Sequence, residues 1–247
     1  MQNEKPLRLG VVGVGARASL ARHAASLPGV TVVAAADPSA AAVKRVESRL
    51  GVSVPLFQTV GELIDYGIDA CIVASPDDTH ADVACELLEA GVAVFLEKPI
   101  AITARDADRV LKTALDTGTR LYVGHNMRHM DVVRKMRSLI DAGEIGEVKT
   151  IWCRHFVGHG GDFYFKDWHA ERSRATGLLL QKGAHDIDVI HWLAGSRTVK
   201  VVAMGDLMVY GRIEGRSDNS ASLMGDWFSE DNWPPLSQTN LNPVIEV

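Results

Sequence analysis

Leu7-Arg8-Leu9-Gly10-Val11-Val12-Gly13-Val14-Gly15-Ala16-Arg17-Ala18 is the stretch that decides the fold. Leu7 to Gly13 is a short apolar run, the pattern of a strand buried on both faces. Gly13-Val14-Gly15-Ala16-Arg17-Ala18 then forms a G-x-G-x-x-A turn that opens a helix expected to run from Ala16 to Leu27. In such a turn the first glycine permits a tight bend and the second lets the backbone approach a pyrophosphate, while the small Ala18 lets the helix pack close to the strand. The helix start at Ala16 and Arg17 presents N–H groups and the positive end of its dipole to phosphates. A glycine-rich turn alone is weak, but this one has its context, because the second apolar run, Val30–Ala36, ends at Asp37, about 20 residues downstream. A carboxylate there accepts hydrogen bonds from the adenosine ribose hydroxyls and repels a 2′-phosphate, which favours NAD over NADP. The plainer alternative makes the glycines a mere tight turn and Asp37 a helix cap. The complete constellation weighs against it.

Outward from this turn, short apolar runs alternate with amphipathic stretches, the pattern of βαβ units around a parallel sheet. Ser39 caps a helix expected to continue through Leu50 to Gly51, and a weak strand follows at Pro55–Gln58. Then come a short helix Val60–Tyr66, a strand Asp69–Ser75, a helix from Asp78 or Thr79 to Gly91 and a strand Val92–Glu97. A helix Thr103–Thr117 and a strand Arg120–Gly124 complete the series. Beyond Gly124 the texture changes: a helix Met130–Ala142, a strand Glu147–Phe156, a Gly-, His- and aromatic-rich stretch Val157–Trp168, a helix Gly183–Ala194 and a strand Thr198–Gly205. Gly211 to Val247 is polar, holds Pro234, Pro235 and Pro243, and lacks clear periodicity. The expected organisation is therefore α/β: a Rossmann domain with a parallel sheet over residues 1–124, and an incomplete α+β open-sheet domain over residues 125–247.

Composition narrows the function classes. The chain has 247 residues, 47% of them hydrophobic, enough for a sizeable core, and a formal charge of −5. Lys and Arg are scattered, so neither net charge nor a basic cluster points to nucleic acid. No apolar run is long enough to span a membrane. Cys71, Cys85 and Cys153 form neither a disulfide framework nor a metal-ligand spacing, which fits a reducing compartment and the cytoplasm. His155, His159, Asp162 and His169 match no standard zinc spacing, so no metal is expected.

In an open parallel sheet, ligands sit beyond the carboxyl ends of the strands. Two of those ends are polar: Ser75-Pro76-Asp77-Asp78-Thr79-His80 and Glu97-Lys98-Pro99. Lys98 there can donate to a substrate hydroxyl and, if desolvated, carry its proton as hydride leaves carbon. Elsewhere such a residue would be an ordinary surface lysine. Thr79 and His80 also read as helix-start residues.

These motifs together resemble the Gfo/Idh/MocA oxidoreductase family. Gly124-His125-Asn126-Met127-Arg128 and Gly143-Glu144-Ile145-Gly146 resemble segments at that family's domain junction, and Gly177 through His185 to Asp188, followed by Trp192-Leu193, agrees as well. The resemblance extends to about Gly205. It implies NAD(P)-dependent oxidation or reduction of sugars, polyols or related carbonyl compounds, with an open-sheet second domain that carries substrate and often the oligomer interface. It implies Lys98 and His185 as catalytic residues, and Gly13, Gly15, Ala16, Arg17, Asp37, Ser75, Pro76, His80, Glu97 and Lys98 around the cofactor. Arg128, Gln181 and Lys182 join Lys98 and His185 around a carbohydrate-like substrate, and the Gly- and aromatic-rich loop reads as substrate-facing, with Trp168 stacking on a sugar face and His169 bonding hydroxyls, or more plainly as a cover without ligand contact. The family motif places a carboxylate four residues before the histidine, where this chain has Gln181. An amide takes no proton, so a relay runs through His185 and Lys98, or Lys182 replaces the lost group. On a continuous helix Gln181, His185, Asp188 and Trp192 would share one face, and a histidine near its ordinary pKa would suit proton transfer there.

The resemblance also leads to an expectation of roughly another hundred residues completing the second sheet, so that a homo-oligomer interface would be incomplete here. Two further readings stand beside the dehydrogenase: a protein that senses NAD or sugar without chemistry, and an enzyme that cleaves glycosidic bonds by transient NAD-dependent oxidation.

Overall fold

In this computed structural model, residues 5–156 and 168–205 are described. Most of the stretch from Val157 to Trp168, with His159 and Asp162, lies outside the described residues, as does the polar segment from Gly211. The chain divides into two compact units, Met1–Cys153 with Arg172–Arg197, and Arg154–Glu171 with Thr198–Val247.

The first unit is built on six parallel strands: β1 (Leu7–Val12), β2 (Val30–Ala36), β3 (Leu56–Phe57), β4 (Ala70–Val73), β5 (Ala93–Leu96) and β6 (Leu121–Val123). Their order is β3-β2-β1-β4-β5-β6, with every neighbouring pair parallel. This doubly wound arrangement reverses direction between β1 and β4, where ligands bind in such sheets. Helices α1 (Leu20–Ala25), α2 (Val46–Leu50), α3 (Val60–Asp65), α4 (His80–Glu89) and α5 (Ala104–Thr117) connect the strands. Burial follows the period of two: Cys71 and Val73 belong to one apolar cluster with α4 residues Ala84, Leu87 and Leu88, and Ile72 to another with Val11, Val14 and Ala18. The sheet is thus covered on both faces, which is why its strands read as continuous apolar runs.

Local signals place the helix ends. Thr59 accepts from the Glu62 N–H while the Glu62 carboxylate accepts from the Thr59 N–H, a reciprocal cap that starts α3. Thr103 caps α5 through the Asp106 N–H, and Gly118, at φ 65°, closes it in the left-handed region. After β6 come α6 (Asp131–Asp141), α7 (Arg172–Ala175), a π-type turn Leu179–Gly183 and α8 (Ala184–Ala194).

Four expectations are corrected. The helix expected over Ala16–Leu27 begins as a 3-10 turn, Ala16–Ser19, and turns α-helical only at Leu20, as first turns often do. The helix expected over Ser39–Leu50 divides into a 3-10 turn Ala40–Ala42 and α2, because apolar spacing does not separate the two helix types over so few residues. Glu147–Phe156 and Thr198–Gly205 form no strands, although both carry β-forming residues. A strand needs a partner edge as well as a pattern, and among the described residues no other segment pairs with either. Trp152, Phe156, Val199 and Met204 accordingly stand more than 80% exposed.

Among the described residues no helix is long and apolar enough to cross a membrane. The three cysteines are free thiols, Cys71 and Cys85 buried and Cys153 exposed.

Candidate active site

The two glycines of the first turn are needed for different reasons. Gly13 has φ 86°, and a Cβ there would lie 2.6 Å from the Ser75 backbone nitrogen. The chain leaving β4 crosses so close to the end of β1 that no side chain fits. Gly15 is extended, at φ −89° and ψ −160°, and a Cβ there would meet no atom within 4 Å. Neither its backbone nor its neighbours among the described residues demand glycine, so the main chain here is open to the approach of a ligand. No side chain caps the Ala16–Ser19 turn that follows. Open space over Gly15 beside an uncapped helical start at the switch point fits the pyrophosphate of a dinucleotide.

Asp37 closes this cradle. Its Oδ2 accepts from the Val14 N–H at 2.7 Å and its Oδ1 from the Ser39 N–H at 2.9 Å, tying the glycine turn to the end of β2. The capping and cofactor readings of Asp37 are therefore compatible, since a carboxylate offers about four acceptor sites. Arg17 is paired with a carboxylate of the protein. Its Nε and a terminal nitrogen donate to Glu97 Oε1 at 2.8 and 2.6 Å, and Glu97 is buried. This pair fastens the glycine turn to the end of β5, while the Glu97 Oε2 accepts from the Lys98 N–H at 3.2 Å.

His80 serves the same scaffold. It is 1% exposed, with Nδ1 at 2.6 Å from the Pro99 carbonyl and Nε2 at 3.0 Å from the Ser75 carbonyl. It staples the turn after β4 to the turn after β5, and both ring nitrogens are occupied by protein. Thr79 Oγ lies 2.7 Å from both the Ser75 hydroxyl and the Pro76 carbonyl, holding the first of those turns.

Lys98 emerges from this frame. Its Nζ donates to the main-chain carbonyl of Gln181 at 3.0 Å. Burial pushes its pKa below the ordinary lysine value, Asp77 and Glu97 oppose that shift, and Lys182 and Arg17 add to it. Gln181 sits in the π-type turn and not on the helix that carries His185, so the expected single face is corrected. The extra residue in a π turn breaks the 3.6-residue phase. The Gln181 amide points instead to Asp77, with Nε2 donating to Oδ2 at 3.1 Å.

His185, at the start of α8, has a buried Nδ1 with no hydrogen-bond partner among the described residues. Its ring lies 6.2 Å from that of His125 in an edge-on arrangement. Burial, followed by the charges of Lys98, His125 and Lys182, lowers its pKa to about 4. The expectation of a histidine titrating near neutrality is thereby corrected: His185 is a neutral imidazole there, with one donor and one acceptor ring nitrogen. His125, whose Nδ1 lies 3.9 Å from Asp188 Oδ2, beyond hydrogen-bond reach, is likewise lowered, chiefly by burial, with Asp188 opposing the shift.

Arg128 is engaged within the protein. It grips Asp188 through two bonds of 2.7 and 2.5 Å and lies 5.9 Å above the Trp192 ring, joining the turn before α6 to α8. Trp168 and His169 belong to the second unit, where their rings stack on each other at 3.6 Å. Among the described residues no group of three or more His, Cys, Asp or Glu could hold a metal ion. Sequence reading passed over Asp77 and His125, both of which stood inside quoted motifs. The signal available was an acidic residue and a histidine at the carboxyl ends of β4 and β6.

Comparison with known proteins agrees with this geometry. Residues 7–125 match the oxidoreductase family with an NAD-binding Rossmann fold, and residues 133–226 match the GFO/IDH/MocA C-terminal domain. An inositol 2-dehydrogenase from Saccharopolyspora erythraea is 33% identical over 201 residues, covering 79% of this chain and 56% of its own. One from Salmonella typhimurium is 31% identical over the same length, covering 57% of its own. Among solved structures, scyllo-inositol dehydrogenase from Lactobacillus casei with bound NAD(H) and scyllo-inositol superposes with a TM-score of 0.65 at 26% identity, over 77% of this chain and 57% of that one. The chain spans somewhat more than half the length of the relatives it matches. With the sheet order, the glycine turn and the family matches in agreement, the chain belongs to the Gfo/Idh/MocA oxidoreductase family and carries its NAD-binding Rossmann fold.

Proposed function

We propose that this protein is an NAD-dependent dehydrogenase of a cyclic polyol or related sugar, with Lys98 and His185 handling the substrate hydroxyl. The observation that carries the reading is the meeting of the open glycine cradle and a partly buried, easily deprotonated lysine at the carboxyl edge of one sheet. Gly13, Gly15, Ala16 and Asp37 hold the dinucleotide, and NAD when bound supplies the hydride acceptor. Lys98 in its neutral form accepts the hydroxyl proton from the substrate oxygen. His185, neutral with one donor and one acceptor ring nitrogen, orients the substrate ring through a hydrogen bond to a hydroxyl. The inositol dehydrogenases among the relatives support a polyol.

The test is the appearance of NADH when the protein is given NAD and a panel of inositols, open-chain polyols and sugars. Oxidation of at least one cyclic polyol is expected. NAD binding with no oxidation across the panel would replace this reading with that of a sensor. We place the protein in the cytoplasm, in keeping with its free thiols.

A further inference from the structure

The proposed chemistry employs Lys98 and His185 but gives no part to His125, which the sheet sets beside them. In the parallel pair β5–β6, Leu96 lies opposite Val123, and Lys98 and His125 each stand two residues beyond that pair. The chain follows β5 to its last residue: the Gly124 N–H donates to the Leu96 carbonyl at 2.7 Å, and a Cβ on Gly124 would come within 3.1 Å of the Phe95 ring. From the other side α8 brings the His185 ring edge-on to that of His125, with centroids 6.2 Å apart. Nδ1 of each histidine is buried without a hydrogen-bond partner among the described residues, while the His125 side chain as a whole keeps 25% of its surface exposed. A buried polar nitrogen without a partner destabilises the fold, so an apolar ring would serve packing better.

Asp188 orders the His125 ring. Arg128 fixes this carboxylate by two hydrogen bonds, and its Oδ2 lies 3.9 Å from the His125 Nδ1. A carboxylate on that side favours the proton on Nδ1, which leaves Nε2 as the acceptor of a neutral imidazole. Among the described residues neither histidine belongs to a group of three side chains that could hold a metal ion, so a hydroxyl is the ligand that suits this nitrogen.

We propose that His125 is a substrate-binding residue: its Nε2 accepts from the hydroxyl on the carbon next to the one oxidised, so that Lys98, His125 and His185 together select a vicinal diol. The proposal rests on the dehydrogenase reading for which hydroxyl reacts, and goes beyond it in naming what the substrate must carry. A site built to bond a hydroxyl discriminates against an analogue that lacks it there, because its own polar group is then left without a partner.

The experiment titrates the full chain, histidine-labelled and saturated with NAD, by NMR with cyclohexane-1,2-diol and with cyclohexane-1,4-diol, which differ only in the spacing of their hydroxyls. The 1,2-diol is expected to bind about tenfold more tightly, the worth of one hydrogen bond, and to move the His125 and His185 ring signals together. In His125→Phe, which keeps a flat ring against His185, that preference should vanish while NAD affinity stays the same; His125→Gln, which keeps an acceptor, should restore part of it. Ring signals of His125 that do not move, or a preference that persists in folded His125→Phe, overturn the proposal, and the first of these is read on the unaltered protein even where a variant does not fold. A 1,2-diol preference with both rings moved, in a protein that oxidises no polyol, leaves the diol site standing and removes the dehydrogenase reading. Polyol oxidation with the His125 signals unmoved does the reverse.

Discussion

The cofactor cradle and the Lys98 cluster occupy one edge of the same sheet but are built by opposite means. The cradle is made of backbone and of missing side chains: at Gly13 the Ser75 backbone passes through the space, and at Gly15 the space is open. The cluster is made of side chains and carbonyls brought together from afar, Lys98 and the carbonyl it touches being 83 positions apart in sequence. A cradle of the first kind is fixed by a few neighbouring residues. A cluster of the second kind depends on the π-type turn, on the Arg128–Asp188 pair that holds α8, and on a buried acid beyond the end of the neighbouring strand. Changes in the cluster should therefore strike chemistry, and changes in the cradle should strike either folding or cofactor affinity, depending on which glycine is touched.

The largest expected effect separates the two regions outright. Lys98→Ala should lower kcat by about two to four orders of magnitude, the usual range for losing a positioned acid or base, while NAD affinity stays within a few-fold. Steady-state kinetics and a binding titration on the same sample check this. Equal loss of both would mean that the cluster belongs to the cradle.

Next in size is Gly13→Ala. The left-handed backbone and the 2.6 Å approach to Ser75 predict a destabilisation of about 2 kcal/mol or more, seen as a lower thermal midpoint without ligand. Gly15→Val, two residues away, should leave that midpoint nearly unchanged, within about 0.5 kcal/mol, and weaken NAD binding about tenfold or more. If the two variants behave alike, the distinction between a structural and a ligand-facing glycine is wrong.

The smallest effect is a matter of pH. His185 is held neutral down to about 4, so its acceptor role is lost only as pH falls through about 4. The ring titration followed by NMR should show that midpoint. A midpoint near the ordinary imidazole value would mean that the pocket around His185 is wetter than its burial implies.

The same contrast explains what could be read from sequence. The glycine turn, Asp37 and the six strands in their alternation with helices were legible because each rests on local spacing, and strand order follows once the crossovers are right-handed and the sheet doubly wound. Lys98 stood out from its place at a strand end. The roles of Arg17, His80 and Arg128 did not, because Glu97, Pro99 and Asp188 are partners that only the fold supplies. Gln181 was placed on the wrong helical phase, since nothing in Leu179–Gly183 announces a π-type turn. Glu147–Phe156 and Thr198–Gly205 show the opposite failure: a β pattern is necessary for a strand, but a pairing edge makes it one.

The central claim is that this edge of the sheet is an NAD site, and calorimetric titration of the whole chain with NAD tests it most directly. Saturable binding by a folded, monodisperse protein, weakened in Gly15→Val at an unchanged melting temperature, is the predicted result. A folded, monodisperse protein that takes up no NAD would contradict it.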